Sequence, residues 1–316
     1  MNILLLGANG QLGRDFLEHG GLAALGHLIA ATRDGKRIDG HSAEVADLSR
    51  PDTLPALLNK LRPGIIVNAA AYTAVDRAEQ EEELATRVNG EAVGVLGKWA
   101  ASNHALVVHY STDYVFDGSA TTPYPVDAAT APLGAYGRSK LAGERALQAS
   151  GAAHLLLRTA WVYAPHGHNF LRTMLRLGAE REELRVVADQ HGAPTSTRLI
   201  VGATLAALDT WQKSDTKQRQ NVLGTHHLVA SGHTSWHGFA TAIFDAAKAR
   251  GLIARAPRVV PISTAEFPTP ARRPAWSVLD NTGFQQRVGH ALPDWRDGLD
   301  EVIEHLSRTG DPHRSQ

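Results

Sequence analysis

A short aliphatic run followed at once by evenly spaced glycines constrains the fold of this chain more than any other feature. Residues 3–6 read Ile-Leu-Leu-Leu, and Gly7, Gly10 and Gly13 come directly after them. The run predicts a buried strand, and glycines at a strand-to-helix turn allow a tight turn, close approach of a pyrophosphate and close packing of the helix. The spacing is G-x-x-G-x-x-G rather than G-x-G-x-x-G, so a plain turn is the alternative. A glycine run directly after the first strand is typical of a mononucleotide-binding fold.

The same strand-then-helix rhythm continues along the first half of the chain. Aliphatic runs at 28–32, 65–68 and 105–110 predict further strands, and amphipathic stretches at 53–61 and 83–101 predict helices between them. Alternation of this kind predicts an α/β fold with a Rossmann-like, doubly wound parallel sheet. Ligands bind such a sheet at the carboxyl ends of its strands.

The amino-acid composition argues against several classes of ligand. The 316 residues include 32 acidic and 32 basic side chains and no cysteine. Balanced charge leaves no field to attract nucleic acid or an anionic membrane, so we expect a small-molecule ligand instead. The lack of cysteine excludes disulfides, thiolate metal ligands and a cysteine nucleophile, and it fits a reducing compartment, so the cytoplasm is the expected location. No apolar run is long enough for a signal peptide or a membrane span.

The ends of the predicted strands lead into residues that can do chemistry. Thr112 follows the fourth strand, and Tyr136 and Lys140 stand four positions apart in the segment AYGRSK. Four positions on a helix put two side chains on one face, although a Tyr and a Lys meet in this way by chance on many solvated helices. In a Rossmann-like sheet, however, these three side chains would surround the spot where a nicotinamide ring lies.

Taken together, these motifs resemble the extended short-chain dehydrogenase/reductase superfamily. A narrower likeness, to the dTDP-4-dehydrorhamnose reductases, is carried by blocks between residues 62 and 280: RPGIIVNAAAYTAVDRAE, VVHYSTDYVFDG, YGRSKLAGE, RTAWVYAPHGHNF, DQHGAPT and PTPARRPAWSVLD. The resemblance implies an enzyme that uses NADPH or NADH to reduce the 4-keto group of dTDP-6-deoxy-L-lyxo-4-hexulose. The product would be dTDP-L-rhamnose, a precursor of cell-surface polysaccharide.

The resemblance also implies roles for individual residues. Tyr136 would donate a proton to the C4 oxygen as hydride arrives, because a developing alkoxide needs a positioned acid. A phenol has an ordinary pKa of about 10, and the Lys140 ammonium is expected to favour the phenolate form of Tyr136 and to hold the nicotinamide ribose. Thr112 would hydrogen-bond the same substrate oxygen.

Two larger groups of residues are expected to bind ligands. The cofactor is expected at the glycine loop and at the ends of the following strands: Gly7, Gly10, Gln11, Leu12, Gly13, Arg33, Asp47, Leu48, Ala71, Tyr72, Thr73, Tyr110, Tyr136 and Lys140. The nucleotide-sugar substrate is expected at Thr112, Asp113, Trp161, Asn169, Gln190, Thr195 and Arg273. Core packing is an equal alternative for Trp161, and Arg273 beside Arg272 could equally be an exposed pair.

The residue after the second strand bears on cofactor choice. An acid there would bond the ribose 2′-hydroxyl and repel a 2′-phosphate, which selects NAD. Thr32 occupies that position and Arg33 follows it. We therefore expect NADPH to be used at least as well as NADH, with Arg33 facing the 2′-phosphate; an arginine pointing into solvent is the alternative.

The pattern divides the chain into two lobes. We expect a dinucleotide-binding domain at 1–157 and a nucleotide-sugar-binding lobe at 158–196 and 222–308, with a helix near 197–208 returning to the first domain. Residues 309–316 are expected to fray, as chain ends commonly do.

The resemblance raises the question of a metal, because members of the family are described as dimerising through a metal held by acidic residues. Asp15 is one candidate ligand, but Arg198 stands where a second acid would be expected. An arginine cannot ligate a cation, so we predict no tightly bound divalent ion. A homodimer remains an open expectation.

Three other functions compete with the reductase. A nucleotide-sugar 4,6-dehydratase or epimerase shares the scaffold, but dehydration uses two carboxylates directly after the threonine, and here Asp113 is followed by Tyr114. A non-catalytic dinucleotide-binding regulatory subunit is a second alternative, since a fold does not guarantee turnover. The third, a structural domain, would leave the glycine loop and the Tyr-Lys pair unexplained.

Overall fold

The strands and helices alternate along the chain as the sequence predicts. The computed structural model describes residues 1–309, and for 216–218 it describes the backbone alone. The strands are β1 (Asn2–Leu6), β2 (His27–Thr32), β3 (Glu44–Val45), β4 (Pro63–Asn68), β5 (Leu106–Thr112), β6 (His154–Thr159), β7 (Val162–Tyr163), β8 (Glu183–Val187), β9 (His191–Gly192), β10 (Thr195–Ser196), β11 (Gly224–His227), β12 (Thr234–Ser235) and β13 (Arg258–Ile262).

The helices cover both faces of the main sheet and build the second lobe. They are α1 (Gln11–His19), α2 (Gly21–Leu25), α3 (Leu54–Leu61), α4 (Val75–Ala78), α5 (Glu82–Thr86), α6 (Ala92–Asn103), α7 (Ala135–Ala149), α8 (Phe170–Glu180), α9 (Thr197–Lys213), α10 (Thr216–Val222), α11 (Trp236–Ala249), α12 (Thr282–Val288) and α13 (Trp295–Thr309). A π-helical segment, Arg87–Glu91, joins α5 to α6.

The main sheet has seven parallel strands in the order β3-β2-β1-β4-β5-β6-β11. The four strands predicted from aliphatic runs are all present in it, which confirms the doubly wound α/β fold. The chain runs outward from β1 in one direction through β2 and β3 and in the other through β4, β5 and β6. The switch between β1 and β4 leaves a crevice at their carboxyl ends, where such sheets bind ligands.

Alternate residues of β1 supply the two core layers that hold the sheet. Ile3 and Leu5 pack with Phe16 of α1 and with residues of α9, whereas Leu4 and Leu6 pack on the opposite face with residues of α3 and α6. Successive side chains of a strand point to opposite faces, so a strand covered on both sides must be apolar throughout. This is why the first strand is a continuous aliphatic run.

The second lobe has its own core and three small sheets. β13 pairs with β8, β10 with β7, and β12 with β9. Helices α8, α11 and α13 enclose a core that includes Phe239, Phe244 and Trp295. This lobe stands beside the carboxyl edge of the main sheet because β7 follows β6 directly in the chain.

The boundary of the second lobe differs from the expected one. β11 pairs with β6 and extends the main sheet, and Phe284 of α12 belongs to the core of the first domain, although both lie in the range 222–308 that we assigned to the second lobe. The strand sequence Gly-Thr-His-His lacks an aliphatic run, and its His227 is buried. Only the pairing with β6 shows that β11 belongs to the main sheet.

The part of the predicted frayed tail beyond Thr309 lies outside the described residues. Across residues 1–309, the structure contains no helix with the length and apolar character needed to cross a membrane.

Candidate active site

The glycine loop between β1 and α1 is shaped for close approach. Gly7 has φ +78°, and a Cβ atom there would lie 2.7 Å from the Ala70 nitrogen; a Cβ at Gly13 would lie 2.1 Å from the Gly7 oxygen. Neither position has room for a side chain, so the loop holds α1 tightly against the sheet. A plain turn would not need both glycines.

The start of α1 offers hydrogen-bond donors to an anion. Gly10 is the N-cap residue, no side chain caps the helix, and no acidic residue lies in its first turn. The first N–H groups of a helix lack partners within the helix and carry its positive dipole end. The backbone of Gln11, Leu12 and Gly13 therefore fits a pyrophosphate, as the chemistry of a dinucleotide requires.

The loop after β4 is tied down by a residue that the sequence analysis missed. The Asn89 side chain accepts from the Tyr72 backbone nitrogen at 2.8 Å and donates to the Tyr72 carbonyl at 3.0 Å and to the Ser139 hydroxyl at 3.0 Å. Asn89 is buried and lies in the π-helical segment, a feature common at functional sites. It joins the loop containing Ala71 and Thr73, which are both exposed, to helix α7.

The adenosine end of the expected cofactor site has mixed charge. Arg33 is exposed directly after β2, and the next residue, Asp34, accepts from the Thr32 hydroxyl at 3.2 Å. The sequence motifs did not point to Asp34, although it is an acid two residues after Thr32, the position that selects between NAD and NADP. Asp47 accepts from the backbone nitrogen of Ser49, and Leu48 is buried.

Lys140 is a buried cation on α7. Its side chain is 2% exposed, and its Nζ donates to the backbone oxygen of Tyr110 at 2.6 Å. Burial lowers the pKa of Lys140 to about 8, and the charge of Glu144 one turn further along the helix opposes this shift. The phenol of Tyr110 lies elsewhere, hydrogen-bonded to Thr204 of α9 at 2.9 Å.

Tyr136 lies one helical turn before Lys140 and is half-buried, with its ring edge-on to Tyr114 at 5.7 Å. Burial and, to a lesser degree, the charge of Asp113 raise the pKa of Tyr136 to about 12, while the Thr112 hydroxyl opposes them. The expectation that Lys140 favours the phenolate stays a prediction. The ammonium is bonded to the Tyr110 carbonyl, and desolvation disfavours the charged phenolate.

Thr112 and Asp113 form a hydrogen-bonded pair at the end of β5. The Thr112 hydroxyl donates to Asp113 Oδ1 at 2.9 Å and accepts from the Tyr114 nitrogen at 3.2 Å. Burial raises the pKa of Asp113 to about 6, against the effect of the Ser277 and Thr112 hydroxyls. Asp113 Oδ2 is buried without a hydrogen-bond partner in the described part of the chain, so it remains available as an acceptor.

A buried ion pair fixes α7 against the sheet. Arg158 of β6 donates to Glu144 at 2.7 Å through one guanidinium nitrogen and at 3.0 Å through Nε, and both side chains are almost fully buried. At the start of the helix, Glu79 accepts from the Ala135 nitrogen at 2.8 Å. These contacts set the height and rotation of the helix that carries Tyr136.

Trp161 adopts a backbone conformation that is rare for a large residue, with φ +46°. Its ring stacks on Trp236 at 3.5 Å between centroids and lies against Gly192, where a Cβ would be 2.5 Å from the indole. Trp161 is half-buried, so part of it remains accessible to solvent. Strained backbone of this kind persists only where surrounding contacts impose it.

Asn169 joins the two lobes. It caps α8 by accepting from the Arg172 nitrogen at 3.0 Å, and its amide donates to the Gln11 side chain at 2.7 Å. A residue expected at the substrate thus contacts a residue of the glycine loop.

The other expected substrate residues have protein partners. Thr195 is fully buried, bonded to the Ala193 carbonyl and the Ala230 nitrogen, and the structure does not bring it to the cleft. Gln190 donates to the Thr264 hydroxyl at 3.0 Å. Arg273 is half-buried and donates to Asp76 at 2.9 Å.

Acidic and histidine side chains do meet near α1. Ligand atoms of Asp15, Glu18 and His166 lie within 4.8 Å of one another, and His166 Nε2 is 2.6 Å from Asp15 Oδ1. The other Asp15 oxygen accepts from the Thr197 hydroxyl. Arg198 pairs with Glu301 at 3.1 Å. The sequence had not suggested Glu18, His166 or Thr197 as partners of Asp15. The absence of a tightly bound divalent ion stays a prediction.

Comparison with known proteins identifies the family of the chain. The profile of the family described as RmlD substrate binding domain matches residues 1–308. A curated relative, the dTDP-4-dehydrorhamnose reductase of Burkholderia thailandensis, is 48% identical over an alignment that covers 97% of this chain and 99% of that protein.

Solved structures give the same result. The dTDP-4-dehydrorhamnose reductase of Clostridium acetobutylicum matches with TM-score 0.85 and 35% identity over 97% of this chain and 99% of its own. The Bacillus anthracis reductase, solved in complex with NADP, matches with TM-score 0.81 and 32% identity over 96% of this chain and 99% of its own. The chain belongs to the dTDP-4-dehydrorhamnose reductase family of Rossmann-fold oxidoreductases.

Proposed function

We propose that this protein reduces the 4-keto group of dTDP-6-deoxy-L-lyxo-4-hexulose with NADPH or NADH and releases dTDP-L-rhamnose. The observation that carries the proposal is the meeting of Tyr136, Lys140 and Thr112 at the carboxyl edge of the sheet, beside the uncapped start of α1. A reductase of a keto sugar needs an acid, a cation and a dinucleotide site together.

Tyr136 is the proton donor in this proposal. With a pKa of about 12 its phenol is protonated at neutral pH and can release the proton to the C4 oxygen. When bound, NADPH or NADH would supply a hydride to C4, so the ketone would gain one hydride and one proton and become an alcohol. The phenolate left behind takes a proton from solvent before the next turnover.

Lys140 stabilises that phenolate by charge and holds the nicotinamide ribose. It is buried, so its charge acts through a medium of low dielectric, where electrostatic stabilisation is stronger than in water. Its ammonium has three donors, of which one is bonded to the Tyr110 carbonyl. The remaining donors suffice for two ribose hydroxyls.

Thr112 orients the C4 oxygen, and Asp113 accepts from a sugar hydroxyl. Thr112 has a single proton, which it donates to Asp113. It must therefore turn that proton toward the C4 oxygen when the substrate binds. The free Asp113 Oδ2 supplies the acceptor for a neighbouring hydroxyl, and the Trp161–Trp236 stack forms an apolar wall for the 6-deoxy end.

The remaining assignments belong to the same proposal. Asn169, Gln190 and Arg273 contribute to the nucleotide-sugar site, and the buried Thr195 supports that lobe through its bonds to the Ala193 carbonyl and the Ala230 nitrogen. We place the protein in the cytoplasm, because the cysteine-free sequence fits a reducing compartment. We also expect a homodimer, as the resemblance to the family implies.

The test is turnover by the purified protein. We expect oxidation of NADPH with dTDP-6-deoxy-L-lyxo-4-hexulose and the appearance of dTDP-L-rhamnose by NMR, and no oxidation with dTDP-glucose, which has no keto group. The Tyr136→Phe variant is the control for contaminating reductases. Binding of the keto sugar and NADPH without product would favour a regulatory subunit instead.

A further inference from the structure

A buried hydroxyl at the carboxyl edge of the main sheet has no role in the chemistry described so far. Thr159 is the last residue of β6 and is 8% exposed. Its Oγ1 atom is buried and has no hydrogen-bond partner within residues 1–309. Leaving a buried hydroxyl unpaired costs free energy, and most such groups in folded proteins are paired. An unpaired hydroxyl at this edge points to a partner whose own bonding changes when the substrate binds.

The register of the sheet places Thr159 beside Thr112. The two residues are paired in the parallel ladder of β5 and β6, and neighbouring strands lie about 4.7–4.9 Å apart. Side chains alternate between the two faces of a strand, so Thr112 shares a face with Tyr110, and Thr159 shares a face with Leu157. Tyr110 and Leu157 belong to the same core layer. The two threonine side chains are therefore cross-strand neighbours on one face of the sheet.

The other neighbours of Thr159 in the sheet are apolar. Leu228 follows β11, and its backbone nitrogen donates to the Arg158 oxygen at 2.8 Å. Leu228 and Leu157 are both fully buried and belong to the same core layer. Of these three flanking side chains, that of Thr112 alone has an oxygen that can accept a hydrogen bond from Thr159.

The Thr112 hydroxyl has room for one more donor. A hydroxyl oxygen has two lone pairs and one proton. In the structure, Thr112 Oγ1 accepts from the Tyr114 nitrogen at 3.2 Å and donates to Asp113 at 2.9 Å, so one lone pair is unused. The proposed function requires Thr112 to turn its proton from Asp113 to the C4 oxygen. A hydroxyl that accepts a further hydrogen bond becomes a stronger donor in its turn.

We propose that Thr159 is a positioning residue for Thr112. The Thr159 hydroxyl donates to Thr112 Oγ1 while Thr112 donates to the C4 oxygen of the keto sugar. No proton passes between the two threonines, and the proton that C4 oxygen gains still comes from Tyr136. The inference rests on the proposed function, because it requires a keto sugar at Thr112.

The experiment replaces the hydroxyl with a methyl group. Thr159→Val should lower kcat roughly 3- to 10-fold, which is about the effect of one neutral hydrogen bond. The KM for the keto sugar should change little, because the bond matters most as charge develops on the C4 oxygen. Thr159→Ser retains the hydroxyl and should keep most of the parent kcat. Steady-state kinetics of the parent and the two variants measure these effects.

Two further readouts separate this role from a structural one. Thr159→Val removes an unpaired buried polar group, so its Tm should equal or exceed that of the parent. The dissociation constant of NADPH, titrated alone by fluorescence, should be unchanged. A hydroxyl that only held the fold together would give the opposite result, a lower Tm with an unchanged kcat.

Two control variants complete the design. Thr112→Val and the double variant Thr112→Val/Thr159→Val should have the same kcat, because Thr159 acts through the Thr112 oxygen. Thr210→Val makes the same change far along α9, at a hydroxyl that donates to the Val288 carbonyl at 3.2 Å. That variant should lower the Tm and leave kcat unchanged.

The possible failures of this inference differ from failure of the proposed function. A parent-like kcat in folded Thr159→Val, or a fall in kcat that persists in the Thr112→Val background, would overturn the inference although the parent reduces the keto sugar. Weaker NADPH binding by Thr159→Val would also overturn it, because the hydroxyl would then serve the cofactor. No product from the parent would reject the proposed function and this inference with it.

Discussion

The ammonium of Lys140 donates to the backbone carbonyl of Tyr110 across 2.6 Å, which joins helix α7 to the carboxyl end of β5. The bond holds a buried positive charge next to Tyr136. Burial of a charge is costly, so this arrangement lowers the stability of the fold in order to keep a cation at the proposed reacting centre.

Replacing this lysine should lower activity and raise stability. Lys140→Met removes the cation and the ribose contact, so kcat should fall and NADPH should bind more weakly. The folded pKa of about 8 lies below the ordinary 10.5, so the buried charge destabilises the folded state by on the order of 3 kcal/mol at neutral pH. Urea unfolding of the two proteins checks this.

The pH dependence has a definite sign. Between about pH 8 and 10.5 the unfolded parent binds more protons than the folded parent, so its stability should rise with pH across this range. Lys140→Met should lack that rise, whereas Lys98→Met, at an exposed lysine, should retain it. A flat profile in the parent would contradict the buried charge.

Loss of the phenol should remove the acid and little else. Tyr136→Phe keeps the ring and its contact with Tyr114, so NADPH affinity should persist while kcat falls by about 10²–10⁴. Thr112→Ala should also act on kcat, and the double variant should be less than additive because both groups serve one oxygen. Near-normal turnover by a folded Tyr136→Phe variant would reject the proposed acid.

Arg33 and Asp34 should have opposite effects on cofactor choice. If Arg33 faces the 2′-phosphate, Arg33→Ala should lower kcat/KM for NADPH by roughly 10- to 100-fold and change that for NADH little. Asp34→Asn removes a nearby negative charge and should shift the ratio toward NADPH. A strong NADH preference that neither change alters would mean that Arg33 points into solvent.

Asn89 should be essential for the loop after β4. Asn89→Ala breaks three hydrogen bonds and leaves the Tyr72 backbone unpaired, so we expect a loss of about 1–3 kcal/mol in unfolding free energy and a higher KM for the cofactor. Asn103→Ala removes an exposed amide at the end of α6 and is the matched control. Equal effects of the two changes would show that Asn89 has no special role.

The sequence by itself determined the features that depend on neighbours along the chain. The aliphatic run and the glycines at 7, 10 and 13 specify a strand, a turn and a helix within a few residues, and four positions between Tyr136 and Lys140 put both on one helical face. Motifs of this kind sufficed for the fold and the family.

Tertiary structure alone decided the partners and charges at the site. Asn89 meets Ser139 from 50 residues away, Arg273 meets Asp76 from 197 residues away, and β11 joins the sheet through β6 without an aliphatic run of its own. The high pKa of Tyr136 follows from desolvation by the surrounding packed elements. Burial depends on all the segments that cover a group, so no local pattern of residues can reveal it.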